Sequence, residues 1–276
     1  MKLSVLGSGS AGNSVVFGSE DTGYWMVDAG LSAKQICMRL EAVGVNLEMI
    51  RGVFITHEHK DHIGGLRVLM KKLKVPVYAS ELTQEYLTSQ MGMQAEWAIF
   101  EPGQRFTIDE MSVEAIRIPH DATDPVGFIF TLEDTRVGIV TDLGYVSDST
   151  ANRLQGVELL YLESNYDVKL LELDQKRPWS IKQRISSRHG HLSNEQARDL
   201  VQSLRGHGLQ KVAFGHLSRD CNDPDCIMSL MKALPVGLDY EISHQDTPTR
   251  WLELAPKLTQ TEVKEEKWSQ PNLFEI

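Results

Sequence analysis

Seven consecutive residues, Thr56-His57-Glu58-His59-Lys60-Asp61-His62, hold three imidazoles and two carboxylates. Imidazole and carboxylate at this density is metal-ligand chemistry. His57 and His59 stand two apart, so in an extended segment they point the same way. Asp61 and His62 come after the chain turns and can face a second point. One short segment can therefore feed two metal ions.

The flanking residues say where such a cluster sits. The apolar stretch 51–56 reads as a buried strand. The stretch 63–73 reads as a helix. The cluster thus occupies a loop at a strand's carboxyl end, where α/β layers place their chemistry. The same grammar recurs downstream. Ile116-Arg-Ile-Pro-His120, Val137-Gly-Ile-Val-Thr-Asp142 and Lys211-Val-Ala-Phe-Gly-His216 each bury a strand and present a ligand at its exit.

His-x-His-x-Asp-His after an apolar strand resembles the signature of the metallo-β-lactamase-fold hydrolases. The resemblance implies a first metal on His57, His59 and His120 and a second on Asp61, His62 and His216, with Asp142 bridging the two. It implies an α/β fold, a four-layer αββα sandwich, over residues 1–255. Asp28, at a strand end, sits where the family places a carboxylate that supports the metal ligands from behind.

The remaining elements fit that architecture. Strands are expected at 2–6, 13–17, 24–30 (ending in a tight turn), 75–79, 104–108, 111–118, 126–132, 136–140, 157–162, 211–214 and 238–242. Helices are expected at 32–43, 81–91, 193–206 and 224–233, with a short one around Leu154. Two sheets inside and helices outside accommodate this alternation. Gly7-Ser-Gly-Ser-Ala-Gly12 matches a dinucleotide fingerprint on paper, but a β-type run follows it where that fingerprint needs a helix. It reads instead as a small-residue loop able to approach an anion, with Ser10 and Asn13 as substrate contacts.

Bulk properties narrow the setting. A chain of 276 residues with 41% hydrophobic and 24% charged content suits one globular domain. No apolar run is long enough for a membrane helix, and the first residues lack a signal-peptide core. Three cysteines argue against a disulfide framework and for a reducing cytoplasm. Cys221 and Cys226 are read as ordinary thiols rather than a metal clip. The net charge of −10 would repel nucleic acid globally. Residues 175–194, however, contain no acid while holding Lys176, Arg177, Lys182, Arg184 and Arg188. That run is expected to track a phosphate backbone through Lys182, Arg184 and Arg188, with Trp179 stacking on a base.

Two metals about 3.5–4 Å apart can clamp a displacement at phosphorus or attack a carbonyl, so other residues must choose the bond. His191, just before a helix, and Glu163, at a strand end, resemble a pair in the phosphodiesterase branch of the family, which includes tRNA 3′-processing enzymes. There the His stands near the leaving oxygen and the Glu orients it. A phosphodiester expels a poor alkoxide, so a proton donor is chemically sensible. The whole pattern, including Leu162-Glu-Ser-Asn-Tyr-Asp167 and Gly215-His-Leu-Ser-Arg-Asp220, most resembles the bacterial YycJ/WalJ-like proteins. That resemblance implies a cytoplasmic 5′-to-3′ exonuclease on double-stranded DNA. It would use two zinc or manganese ions and a metal-bridged hydroxide, with Asp61 orienting the nucleophile and His191 and Glu163 assisting departure. One departure is Tyr166, where relatives carry His. The rivals are a carbonyl hydrolase of the same fold, either a thioesterase or a lactonase, and a non-enzymatic DNA-metabolism partner with structural metals. Residues 256–276 read as a flexible tail. Its Gln270-Pro-Asn-Leu-Phe274 resembles a sliding-clamp docking peptide, against the plainer reading of an apolar end folded back on the domain.

Overall fold

The apolar runs resolve into strands whose successive side chains serve different layers. Val5 enters one core and Leu6 another; Val15 and Val16 divide in the same way. Both faces of these inner strands are therefore covered, which is why they read as continuous apolar runs rather than as clean alternations. The computed structural model describes residues 1–232 and 237–255.

The first sheet runs β1 (Lys2–Gly7), β2 (Ser14–Ser19), β3 (Gly23–Val27), β4 (Ile50–Phe54), β5 (Val77–Ser80) and β6 (Trp97–Phe100), with β14 (Leu252–Glu253) beside β1. The second runs β7 (Arg105–Ile108), β8 (Met111–Arg117), β9 (Val126–Leu132), β10 (Thr135–Val140), β11 (Leu159–Glu163), β12 (Lys211–Gly215) and β13 (Asp239–Ile242). Their facing sides share one core, in which Phe17, Phe54, Phe128 and Phe130 meet.

Helices cover the outer faces. Helices α1 (Ala33–Ala42), α2 (Lys60–Ile63), α3 (Leu66–Leu69) and α4 (Glu81–Met91) pack on the first sheet. Helices α5 (Asp148–Leu154), α8 (Asn194–Arg205) and α9 (Pro224–Lys232) pack on the second. Two short helices, α6 (Val168–Leu173) and α7 (Trp179–Ile185), sit apart around a small cluster of Tyr166, Leu171, Cys221 and Ile185. The result is the expected αββα sandwich.

Register aligns the strand exits. β10, β11 and β12 are parallel, with Val140 opposite Leu162 and Glu163 opposite Gly215. β3 and β4 are parallel, with Val27 opposite Phe54. Asp142, Glu163 and His216 therefore leave neighbouring strands at one rim, as Asp28 and His57 do from the other sheet.

Sequence and structure part company in a few places. The single helix expected at 63–73 is two short turns, α2 and α3, meeting at Gly64 and Gly65. Gly65 donates to the Ala29 carbonyl at 2.8 Å, and a Cβ there would strike the Leu31 carbonyl. Short elements not expected from the sequence are β6, β14, α6, α7 and a 3-10 turn at Leu47–Met49. Ser193 caps α8 with a reciprocal bond to Gln196. Cys221 and Cys226 are free thiols, and no metal-binding group among the described residues includes them. No helix among the described residues is long and apolar enough to cross a membrane. The tail 256–276 and its Gln270–Phe274 peptide lie outside the described residues.

Candidate metal centre

Imidazoles and carboxylates that are far apart in sequence converge at the rim. His57, His59 and His120 form one group, with ring centroids 4.6 Å apart for His57–His59 and 5.1 Å for each ring with His120. Asp61, His62 and His216 form a second. Asp142 reaches both. One of its carboxylate oxygens lies 3.0 Å from His62 Nε2, the other 3.7 Å from His120 Nε2. The seven residues named from sequence are thus brought together at one rim, in groups that could each hold a metal ion.

Groups behind the ligands decide which ring nitrogen faces inward. His62 Nδ1 is 2.7 Å from Asp28 Oδ2, which also accepts from Thr56 Oγ1. His57 Nδ1 is 3.0 Å from Thr56 Oγ1. His120 Nδ1 is 3.1 Å from the Gly190 carbonyl, and His216 Nδ1 is 2.9 Å from Glu163 Oε1. Each bond occupies Nδ1 and leaves Nε2 to bind, which is how outer partners orient ligating histidines. Two buried atoms are then left over: His57 Nε2 and Asp142 Oδ2 have no hydrogen-bond partner. The contact of Asp142 Oδ2 with His62 Nε2 is close but not directed as a hydrogen bond. Buried polar atoms are normally satisfied, so these two, aimed among other lone pairs, fit a cation.

Electrostatics agree. Burial pushes the His62 and His216 imidazoles down, yet Asp142 and the other nearby carboxylates more than offset this. His62 lies well above the ordinary histidine value, and His216 is pushed up to about 10. Burial together with His62 holds His57 well below it. Burial would raise the Asp142 carboxyl, but His216 and His62 hold it well below the usual range. Burial likewise holds His120 below the ordinary value, so it is the side with His62 and His216, beside Asp142, that favours positive charge.

Backbone strain concentrates at the same rim. Among the described residues, five non-glycine residues have left-handed φ, and three of them are Asp28 (61°), Asp142 (57°) and His216 (56°). Such conformations persist at sites where surrounding structure over-determines them. Gly30 permits the close packing: a Cβ there would collide with the Asp61 carbonyl oxygen.

Beside the two groups lies a cavity of about 230 Å³. His59, Asp61, His120, Asp142, His191 and His216 line it, facing Ser10, Asn165, Ser218, Arg177, Ile181, Arg184 and Ile185. His191 Nδ1 is 2.7 Å from Glu163 Oε1, and the other Glu163 oxygen accepts from the Leu143 and Leu192 amides. Burial pushes His191 down, but the Glu163 charge outweighs it and the net direction is up.

The substrate contacts expected from sequence separate. Ser10 and Arg184 line the cavity, with Arg184 paired to Asp121 at 2.6 Å. Asn13 is buried, and its amide nitrogen lies 3.2 Å from Asp61 Oδ2 and 3.1 Å from His62 Nε2, so it meets the ligands rather than the open space. Lys182 lines a different cleft, on the far side of α7. Arg188 lies over the Tyr145 ring. Sequence reasoning missed Thr56, which links Asp28 to His57, and Asn165, whose amide donates to the His216 carbonyl at 2.7 Å. A single Thr or Asn next to a ligand motif carries no signal of its own.

Residues 25–216 match the model of the β-lactamase superfamily domain. The chain is 35% identical over 255 residues to exodeoxyribonuclease YycJ of Bacillus anthracis, covering 89% of this chain and 96% of that one. It belongs to the metallo-β-lactamase superfamily, in its YycJ/WalJ family. Exodeoxyribonuclease WalJ of Streptococcus pneumoniae is 34% identical over 265 residues, covering 92% of this chain and 98% of the relative. Zinc-bound PqqB from Methylobacterium extorquens has the same fold at 14% identity, with a TM-score of 0.69 over 92% of this chain and all of the other. This member of the superfamily is a metal-dependent hydrolase, and His57, His59, His62, Asp61, Asp142, His120 and His216 fit its divalent ions.

Proposed function

We propose that the protein is a dinuclear metal-dependent phosphodiesterase acting as a 5′-to-3′ exonuclease on double-stranded DNA. The observation that carries this reading is the His191–Glu163 pair at the cavity wall. Two divalent ions, zinc or manganese, would activate water and polarise the phosphate oxygens. The chain's own residues supply the rest. Asp61 Oδ2, 3.4 Å from His216 Nε2 and held by Asn13, is placed to orient the attacking oxygen. Glu163 engages His191 Nδ1, so Nε2 is the nitrogen that meets the departing oxygen. The Glu163 charge favours the protonated form of His191, the form a general acid needs. A carbonyl hydrolase expelling a thiolate has no need of that donor. The names of the YycJ and WalJ relatives support DNA as the substrate.

The test compares two leaving groups. Replacing His191 with Ala should lower kcat on end-labelled duplex DNA about 10²–10⁴-fold. Hydrolysis of bis(p-nitrophenyl) phosphate, whose leaving group departs without a proton, should fall far less. Equal losses on both would remove His191 from the leaving-group role. Failure of the wild-type protein with manganese or zinc to shorten any DNA, with turnover of a thioester or lactone instead, would overturn the nuclease reading.

A further inference from the structure

The α6–α7 segment carries an unusual surface. Of nine large apolar side chains exposed among the described residues, four (Val168, Leu173, Trp179 and Ile181) fall between positions 168 and 181. Trp179 is 69% exposed. An indole held in water on the helix that borders the reaction cavity needs a physical reason, because stacking surface left open is surface a ligand can cover.

The geometry around it is a second cleft of about 140 Å³. Tyr166 and Leu171 form its inner wall, both nearly buried and packed with Cys221. Trp179 and Lys182 line it from α7. Lys182 Nζ donates to the Glu172 carbonyl at 2.8 Å, and Glu172 adds the one acid in the lining.

This cleft and the metal cavity share α7 as a partition. Ile181, Arg184 and Ile185 line the metal cavity, while Trp179, Lys182 and Ser186 line the cleft. The other wall is continuous as well. Tyr166 follows Asn165, whose amide lies against the ligand His216. A polymer with a phosphate at the metals can extend past α7 toward the cleft. The exposed Trp179 ring gives the cleft an apolar planar face, and Lys182, its Nζ held by the Glu172 carbonyl, is the one cation in the lining, so the occupant that suits it is a planar ring carrying an adjoining phosphate.

We infer that the cleft between α6 and α7 is a base-stacking subsite, in which Trp179 holds one nucleobase of the strand being digested while the adjacent phosphate occupies the metal cavity. The inference rests on the phosphodiesterase reading above. Base–aromatic stacking tolerates every base, because each has a π-face. The subsite therefore grips the strand without reading its sequence, and it sets how far the chain end must extend before the scissile bond is seated.

The experiment uses the full-length, metal-loaded protein and a series of duplexes, each carrying one abasic nucleotide at a successive position from the digested end. Trp179→Ala should lower kcat/KM on intact duplex about 10- to 100-fold. The loss should disappear on the one duplex that is abasic at the stacked position, and Trp179→Phe should retain most activity. For the wild type, that same abasic position should reproduce the loss, a readout independent of whether the Ala variant folds. A Trp179→Ala loss of equal size on every duplex, or no loss at all, would overturn the subsite and leave the nuclease assignment standing. Wild-type protein that leaves all DNA intact would overturn both.

Discussion

Asp28 touches no cavity, yet the second ligand group depends on it. Its carboxylate takes His62 Nδ1 at 2.7 Å and the Thr56 amide and hydroxyl at 2.9 and 2.8 Å. Thr56 in turn meets His57. One carboxylate thereby orients a histidine from each metal group. Asn is the informative replacement, since it tolerates the left-handed φ that Asp28 adopts but cannot supply the charge. Asp28→Asn should weaken metal binding about 10- to 100-fold, with the secondary structure unchanged. Competition against a chromophoric chelator measures this. Unchanged affinity would reduce Asp28 to a loop-shaping residue.

The ligands are presented by strand exits, a feature legible in the sequence. His57, His120, Asp142 and His216 each follow an apolar run, and the runs at 126–132 and 81–91 became β9 and α4 without adjustment. What could not be read was short or depended on distant partners. β14 is two residues long and exists only because β1 pairs with it. α7 was seen as a basic run, because Lys182 and Arg184 dominate its composition. Its division of apolar residues between two clefts appears only once Tyr166 and the metal cavity are placed around it. The break between α2 and α3 falls at Gly64-Gly65, a dipeptide that favours turns, and the Leu31 carbonyl that bars a side chain at Gly65 comes from another part of the chain. The same interlocking predicts an element-scale defect. The turn through Asp61 lies against the loop at 28–31: Ala29 donates to the His62 carbonyl, Asn13 to the Asp61 carbonyl and Gly30 to the Asn13 carbonyl, at 2.7, 2.7 and 2.9 Å. In Gly30→Ala the new methyl must push the Asp61 backbone away. The group of Asp61, His62 and His216 should suffer before that of His57, His59 and His120. Elemental analysis after dialysis against excess chelator-free buffer should show metal content falling from two ions toward one. Full content would mean the turn absorbs the methyl.

Across the whole molecule, the rim is where the sandwich gathers charge that a core would not tolerate. His57, His62, His120 and His216 are buried there with Asp28, Asp142 and Glu163. Ions at buried positions are costly unless compensated, so the stability of the fold is coupled to what occupies the centre. Without cations, compensation comes from protons: His216 is raised to about 10, and His62 lies well above the ordinary histidine value. A histidine raised on folding stabilises fully below its unfolded pKa, and that contribution is lost as pH climbs through the folded one. Chelated protein should therefore lose stability between pH 7 and about 10. Metal binding runs the other way, because it needs neutral imidazoles and releases the protons they held. The gap in Tm between metal-loaded and chelated protein should widen as pH rises. In free energy the widening amounts to at most about 1.4 kcal/mol per pH unit for each proton displaced. Calorimetry in buffers of different ionisation enthalpy should show proton release on metal addition at pH 7. A Tm gap that stays constant from pH 7 to 9, with no protons released, would mean that the centre does not exchange protons for metal and that its charge is balanced in some other way.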